Sequence, residues 1–378
     1  MKNDSVEIVK VTTKQELKAF INLPRKIYQN IPCWIPPLWK DERRAYKREN
    51  NPILANSDFA LFIGLKAGVV SGRLIAYVDH EFNNYYRERV GFFGAYESID
   101  DPGLSDALFA GAEEYLSELG MARIRGPINP VAEHWGFLYE GFSSPPIFLS
   151  PYNPSYYISA TERAGFHKVK DLFAYEADMA KGYTVPERFI RFYDRFPRRK
   201  PGYSVRKFSL KHLNRDAEII WQLTNESLKD NWGYVPVDRD VMEDMIGRLK
   251  PILDPDAIWF VEHGGRAVAY CLGFPDLNRI IGRVKGRLFP FGYLRILSGM
   301  KKIRHYRLFG LAVHPDYHGM GLDVLLYVKL QEALKDKGVC MEANYILEDN
   351  LNIKNALLKL GMEKKRTYRV YEKELEQV

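Results

Sequence analysis

The chain has little cysteine: Cys33, Cys271 and Cys340 stand far apart, with no C-x-x-C pair among them. That excludes a disulfide framework and a Cys-based zinc site, and it fits a reducing cytoplasm. The histidines form no H-E-x-x-H or comparable cluster, so no metal site is expected. Long apolar runs are missing as well. No stretch reaches the ~18 uninterrupted apolar residues of a spanning helix, and "LFIGLKAGVV" is broken by Lys66. The start, "MKNDSVEIVKVTTKQEL", has charge but no apolar h-region, so no signal peptide is expected. What is present is a chain of 378 residues, 46% apolar and 27% charged, an ordinary globular balance. That length suggests two to three domains of ~150 residues each.

Acidic residues are nearly absent from one stretch. From Asp276 to Arg307 there are nine basic side chains: Arg279, Arg283, Lys285, Arg287, Arg295, Lys301, Lys302, Arg304 and Arg307. Asp276 is the lone acid, so the stretch carries +8 of a chain whose total is +7, and everything else sums to −1. Such a patch faces an anionic partner or surface. Bulky apolar residues alternate with the charges, among them Ile280, Ile281, Val284, Leu288, Phe289, Tyr293 and Leu294. Nucleic-acid patches are basic and polar with isolated aromatics, so nucleic acid is not the expected partner. Basic and strongly apolar together is the pattern of a segment lying on an anionic membrane surface. An amphipathic piece packed on its own domain is the alternative.

The chain also repeats itself. "GRLIAY" (72–77) returns as "GRAVAY" (265–270), and "AGFHKVKDLFAYE" (164–176) returns as "LGMEKKRTYRVYE" (360–372). The two landmarks lie 93 residues apart in one copy (Gly72 to Gly165) and 96 in the other (Gly265 to Gly361), which indicates two copies of one domain. In each copy the same order follows. A β-hairpin turns at glycine, a further strand leads into a helix with 3.6 periodicity ending at Gly120 or Gly338, then come a strand, a short helix and two closing strands. A strand, crossover helix and neighbouring strand make the class α/β, with a mixed central β-sheet flanked by helices in each domain. The expected division is an N-terminal domain over 1–180, a join at 181–204 with Pro197 and Pro201 as breakers, and a C-terminal domain over 205–378 that carries the basic apolar insert at 276–307. The Pro- and aromatic-rich opening segment, "LPRKIYQNIPCWIPPLWKDERRAYKRENNP", is expected to wrap one of the domains.

In the second copy the strand "RLFGLAV" runs into the turn "PDYHGMG" and then a helix. At such a junction several backbone N–H groups lack intrahelical partners, and the helix dipole adds positive potential. Gly319 and Gly321 let a phosphate approach the backbone closely. Taken alone, a G-x-G is also an ordinary turn. The wider order is more specific: strand, V-x-P, turn, G-x-G, amphipathic helix, strand, an Asn-rich helix start, Gly-Met and "YRVYE" together resemble the GNAT family of acyltransferases. The resemblance covers roughly residues 205 to 375, and the repeat extends it more weakly to the first copy, so the whole chain resembles a tandem GNAT-like protein.

The resemblance implies that the turn is the family's R/Q-x-x-G-x-G/A loop, which grips the pyrophosphate of an acyl-CoA. His318 matches the Arg/Gln position, Gly321 the first required Gly and Asp323 the final Gly/Ala. It implies Leu311, Ala312 and Val313 beside the thioester, and His318, Gly319, Met320, Gly321, Leu322 and Asp323 around the phosphates. Asn350 matches the family's late Asn and joins the catalytic candidates. Two departures stand out. Asp323 puts a carboxylate near a pyrophosphate unless it turns away to serve its own helix, and Leu357 occupies the position where many members carry a Tyr that protonates the leaving thiolate. The first copy has no such loop; its turn, "ESIDDPGLSD", places Asp100 and Asp101 where a phosphate would sit.

Acyl transfer to an amine needs a base for the ammonium proton and a polarised thioester carbonyl. Glu342 on "VCMEANYIL" is the best-placed base, with Asn344 two residues on and on the same face. His314, next to the loop, is a second candidate, since imidazole commonly serves as a general base. A long aromatic loop in the first copy, from Gly126 to Tyr157, is expected to be either a packed interface between the two copies or an apolar acceptor or acyl pocket with Asn129, Glu133 and His134 as its polar groups. The expected activity is acyl-CoA-dependent N-acyl transfer, from acetyl-CoA or a longer acyl-CoA, with an acyl carrier protein as another donor. The acceptor is a small-molecule or lipid-like amine, by family analogy a sphingoid base. The expected location is cytoplasmic, peripheral at the inner face of the membrane. Two other readings remain open on the sequence: an aminoacyl-tRNA-dependent peptidoglycan-type ligase, and a non-catalytic CoA-binding protein of the same fold.

Overall fold

The computed structural model describes residues 5–130, 135–289, 292–300 and 302–376. The chain divides into two compact units, and neither is one continuous stretch. The first takes Met1–Leu172, Asn278–Ile296 and Arg366–Val378; the second takes Phe173–Leu277 and Leu297–Lys365. Each is described by itself.

In the first unit the strands β1 (Val6–Lys10), β2 (Ser57–Lys66), β3 (Val69–Asp79) and β4 (Val90–Ser98) run antiparallel in that order, and β5 (Arg123–Gly126) lies parallel to β4. The expected hairpin is β2–β3. Its two-residue turn has Ala67 and Gly68 both at positive φ (50° and 75°), the twist that lets two strands pair without splaying. Between β4 and β5 the chain crosses over through the helix Pro102–Glu118, whose Leu104, Leu108, Ala112 and Leu116 recur every four residues and are all fully buried. They pack with Phe62, Leu74, Phe93, Phe109 and Ile124 into one core. A short strand, β6 (Phe137–Glu140), follows. The opening segment packs here, as Phe20, Trp39 and Tyr46 are buried and Arg73 on β3 donates to the Phe20 carbonyl (3.0 Å).

The second unit repeats the plan. The end of β7 (His167–Asp178) belongs to it, and β8 (Tyr203–Lys207), β9 (Ile258–His263), β10 (Arg266–Pro275) and β11 (His305–Val313) run antiparallel, with β12 (Cys340–Leu347) parallel to β11. The β9–β10 hairpin again turns on two residues at positive φ, Gly264 and Gly265. The crossover helix is Leu322–Leu334, and seven of its thirteen residues, Leu322, Leu325, Leu326, Tyr327, Val328, Leu330 and Leu334, are buried. A helix so apolar needs cover on more than one side. Residues 187–199, inside the stretch read as a join, supply some: they form the helix Glu187–Arg199, and Tyr193 lies under the Lys329 ammonium at 5.0 Å. Just before that helix the Val185 amide donates to the Gln331 side chain at 2.7 Å.

The closing part of each copy differs from expectation. In place of two strands, each copy ends in one unbroken twelve-residue strand, β7 or β13 (Glu363–Glu374), because neither contains a Gly, Pro, Asn or Ser to interrupt the alternation and Asp171 of β7 is held by Arg369. The last residues of the chain pair in the first unit. Tyr371 to Glu374 run antiparallel to Gly126 to Arg123 of β5, and Thr367 to Arg369 pair with β6. The exchange is fastened by charge: Arg125 donates to the Glu372 carboxylate at 2.7 Å with both side chains buried, and Arg369 grips Asp171 through two bonds of 2.8 and 3.0 Å.

Candidate active site

In the second unit β11 and β12 pair in register from His305–Cys340 to Leu308–Ala343, and pairing then stops although β11 runs on to Val313 and β12 to Leu347. The cause is visible on the other side of β11. Its register with β10 shifts by one residue between Leu308 and Gly310, so Phe309 is a β-bulge that bends the strand away. A gap opens between two parallel strands. Beyond the bulge the ladder alternates: His314 donates to the Val268 carbonyl (2.9 Å), which turns the amides of Leu311 and Val313 away from β10 and toward the gap.

The loop after β11 begins with a single turn, Pro315–Tyr317, and ends at Gly321, the N-cap of the crossover helix at φ 76°. Gly321 offers no side chain, so the N-cap residue itself makes no side-chain hydrogen bond to the helix start. A Cβ there would lie 2.7 Å from the Phe192 ring, so only glycine suits both the backbone and the space; a Cβ at Gly319 would meet nothing within 4 Å. Aromatic contacts hold the loop down. Tyr317 reaches His263 Nδ1 with its hydroxyl (3.3 Å), His263 stacks on Tyr203 at 4.2 Å, and the Tyr203 hydroxyl meets Met320 sulfur at 3.7 Å.

Each expected side chain has a definite place. His318 donates its ring Nε2 to the Val313 carbonyl (2.9 Å), folding back over the strand end. Asp323 is partly buried with its carboxyl over the first-turn amides of Asp323 and Val324; burial raises its pKa and those amides lower it, with burial dominating. The carboxylate therefore turns onto its own helix, at the position an incoming phosphate also favours. His314 accepts the Asp316 amide at Nδ1 (3.2 Å), which leaves the proton of the neutral ring on Nε2, 3.5 Å from Glu226. In that tautomer its basic lone pair is engaged by the turn. Asn350 is the N-cap of the helix Leu351–Lys359 and accepts from Ile353 N (3.2 Å). Leu357 is core, 1% exposed.

Glu342 sits one residue before the pairing ends, at the floor of the gap, and is buried at 4% exposure. Asn344 donates to its Oε1 at 3.1 Å, which realises the shared face expected from the alternation, and Arg307 is its partner in register on β11. Sequence reasoning missed Arg307, Phe192 and Glu226. Arg307 was assigned to the basic patch, yet it is fully buried at 0% exposure. The apolar spacing of "RFIRFYDRF" was the available signal for a helix carrying Phe192. The residues Glu176, Asp178 and Cys340 also converge, with ligand atoms within 4.8 Å of one another. Burial, with those two acids, pushes the Cys340 thiol up to about 12, so it is protonated at neutral pH.

The first unit shows the same site filled by its own chain. Pairing of β4 with β5 stops at Phe92–Arg125, and β4 carries a bulge against β3. Here, however, the Asn129 carboxamide accepts the Ala95 amide, Ile128 N donates to the Phe93 carbonyl (2.8 Å), and the Tyr157 hydroxyl accepts the Ser98 amide (2.9 Å). The helix start is also taken: Asp101 caps it by accepting Leu104 N (2.8 Å) and is ion-paired to Lys66. Tyr157 donates to Glu97 (2.9 Å), whose carboxyl burial pushes up to about 7 against the pull of Arg73 and the hydroxyls of Tyr28 and Tyr157. Phe137 and Tyr157 of the long aromatic loop belong to this unit's core, so the pocket reading of that loop fails for them; their rings are spent on packing. Glu133 and His134 lie outside the described residues.

A bulged strand diverging from its parallel neighbour, followed by a glycine-capped helix, is an arrangement of the GNAT type. The chain belongs to that family: residues 218–362 match the model of the acetyltransferase (GNAT) family. It is a tandem GNAT-type enzyme, an N-acyltransferase. Among its relatives it is 30% identical to protein YghO of Escherichia coli (strain K12) over 370 residues, 96% of this chain and 94% of that one. It is 29% identical to the bacterial ceramide synthase of Caulobacter vibrioides (strain NA1000 / CB15N) over 383 residues, 99% of this chain and 98% of that one. In fold it is similar to a tandem GNAT protein from the clavulanic acid biosynthesis pathway, with a TM-score of 0.57 at 14% identity, over 98% of this chain and 99% of that one. An acetyltransferase of the same type from Sphaerobacter thermophilus gives 0.56 at 12%, over 98% and 96%. No helix among the described residues is long and apolar enough to cross a membrane.

Proposed function

We propose that the second unit transfers an acyl group from an acyl-CoA to the amine of a hydrophobic, lipid-like acceptor of the sphingoid-base type, in the cytoplasm at the inner face of the membrane. The observation that carries the donor side is the gap between β11 and β12 with the Leu311 and Val313 amides turned into it. Acyl-CoA supplies an activated thioester. The residues present suit its phosphates: Gly319 and Gly321 bring no side chain to the loop, and the first-turn amides with the helix dipole favour an anion there in competition with the Asp323 carboxyl. The amides of Leu311 and Val313 polarise a carbonyl held in the gap and stabilise negative charge on its oxygen. Glu342, oriented by Asn344, takes the proton of the attacking ammonium. Leu357 in the tyrosine's place provides no acid at that position, and a thiol of pKa ~8.5 leaves as thiolate near neutral pH. The acceptor class is supported by the ceramide synthase relative, aligned over nearly the whole of both chains.

The test is release of free CoA thiol from palmitoyl-CoA or acetyl-CoA with sphinganine as acceptor, alongside calorimetry with CoA alone. We expect CoA binding, acceptor-dependent thiol release and an N-acyl product by mass spectrometry. Glu342→Gln should lower kcat by about 10²-fold with little change in CoA affinity. CoA binding without turnover on any long-chain amine removes the acceptor class; turnover only with an acylated carrier protein reassigns the donor. Absence of CoA binding removes the site.

A further inference from the structure

The basic apolar insert splits into a clamped half and a bare half. Residues Asn278–Ile296 cluster with the first unit. Ile280, Ile281 and Val284 are buried there. The Trp39 backbone and indole nitrogens donate to the carbonyls of Gly286 (3.2 Å) and Lys285 (3.1 Å), and a Cβ at Gly286 would collide with the Pro37 carbonyl at 2.1 Å. So the segment is held tightly on one side, with Ile296 buried again at its far end. Between these anchors Phe289 is 90% exposed, Tyr293 56% and Leu294 61%. Phe289 is the most exposed large apolar side chain among the described residues.

Cations precede this tip closely in the sequence. Arg283, Lys285 and Arg287 are exposed. Arg25 stacks on the Trp39 ring at 3.8 Å, and its pKa is lowered first by burial and then by the like charges of Arg287 and Arg43. Like charges held this close gain from an approaching anion, while three bare apolar side chains gain from leaving water. An acidic protein would satisfy the charges and a dry protein groove the rings. A bilayer with anionic headgroups satisfies both at once, offering apolar depth to the rings and headgroup charge to the cations.

We infer that Phe289, Tyr293 and Leu294, with Arg283, Lys285 and Arg287 beside them, form a docking surface for an anionic lipid bilayer. This concerns how the protein meets its surroundings and does not depend on the reaction proposed above. The experiment is co-sedimentation of the full chain with vesicles of phosphatidylcholine and phosphatidylglycerol, against phosphatidylcholine alone. Wild type partitions onto the anionic vesicles and is released by salt. Phe289→Ser with Leu294→Ser lowers the partition coefficient by about 30-fold or more with an unchanged melting curve, because both side chains are exposed in the fold. Arg283→Gln with Arg287→Gln lowers it by about fivefold per charge. Indifference to the phosphatidylglycerol overturns the inference, as does full binding by the Phe289→Ser, Leu294→Ser variant. Loss through the arginine variants alone points to an acidic protein surface and overturns it too. Turnover on a soluble short-chain substrate is the same in all these variants, so failure here leaves the catalytic reading standing.

Discussion

In each unit a pair of parallel strands separates behind a bulge, yet the first unit closes the gap with its own side chains and the second leaves its amides facing it. Asn129 and Tyr157 satisfy the turned-out amides of Ala95 and Ser98, while Leu311 and Val313 meet no comparable side chain among the described residues of the second unit. Asp101 with Lys66 occupies the N-cap of the first helix, whereas the N-cap of the second is Gly321, which brings no side chain. The lesson is one of hydrogen-bond accounting. A bulged strand produces inward amides wherever it occurs, and a fold must either satisfy them from within or reserve them for a ligand. On the proposed reading, two similar frameworks thus become a scaffold and a site through four or five side chains.

The sharpest way to break the comparison is to fill the second site. Gly321→Glu places a carboxylate at the helix start and should weaken CoA binding by about 100-fold or more, several times the ~1 kcal/mol of two charges in partly screened surroundings, because it also blocks the cradle sterically. The left-handed φ of 76° adds a folding cost of about 1–2 kcal/mol, which a melting curve reads separately from calorimetry. Retention of full CoA affinity would put the donor site elsewhere.

The next effect belongs to the filled gap. Glu97 titrates near 7 in the fold against 4.5 ordinarily, so the fold favours its neutral form. The stability tied to that form is complete below pH ~4.5 and is lost as pH rises through ~7, by up to roughly 3 kcal/mol at 1.36 kcal/mol per unit. Glu97→Gln should therefore flatten the fall of Tm across that window. An unchanged slope would mean Glu97 is ionised in the fold.

Asn129→Ala leaves the Ala95 amide without its acceptor and should cost about 1–3 kcal/mol of stability. Stoichiometry should stay at one CoA per chain, with kcat/KM unchanged. A second CoA bound by this variant would show that the first gap is a suppressed site rather than a scaffold.

The smallest expected change is at Asp323. Its carboxyl already lies on the amides that a phosphate would use, so Asp323→Asn should tighten CoA binding by about 1 kcal/mol. In wild type the raised pKa gives the same gain as pH falls and the carboxyl becomes neutral. The variant should lose that acid-side rise, and calorimetry at two pH values reads both.

The sequence by itself determined most of the elements and their order, though not the helix Glu187–Arg199 or the single closing strand of each copy. Two residues at positive φ between alternating strands make each hairpin, and four-residue spacing of leucines makes each crossover helix, because these signals act over a few neighbouring positions. It also located the Gly-rich loop at a strand-to-helix junction and put Glu342 and Asn344 on one face, since strand alternation is strictly local. Only the tertiary structure decided who meets whom across the chain. That Glu372 pairs with Arg125, that Asn129 stoppers one gap, that Phe192 covers Gly321 and that Arg307 leaves a charged stretch to be buried beside Glu342's strand all join residues with no local signature of their partners. Side-chain type states what a residue can bond to; only packing, which brings distant segments within 3 Å, chooses the partner.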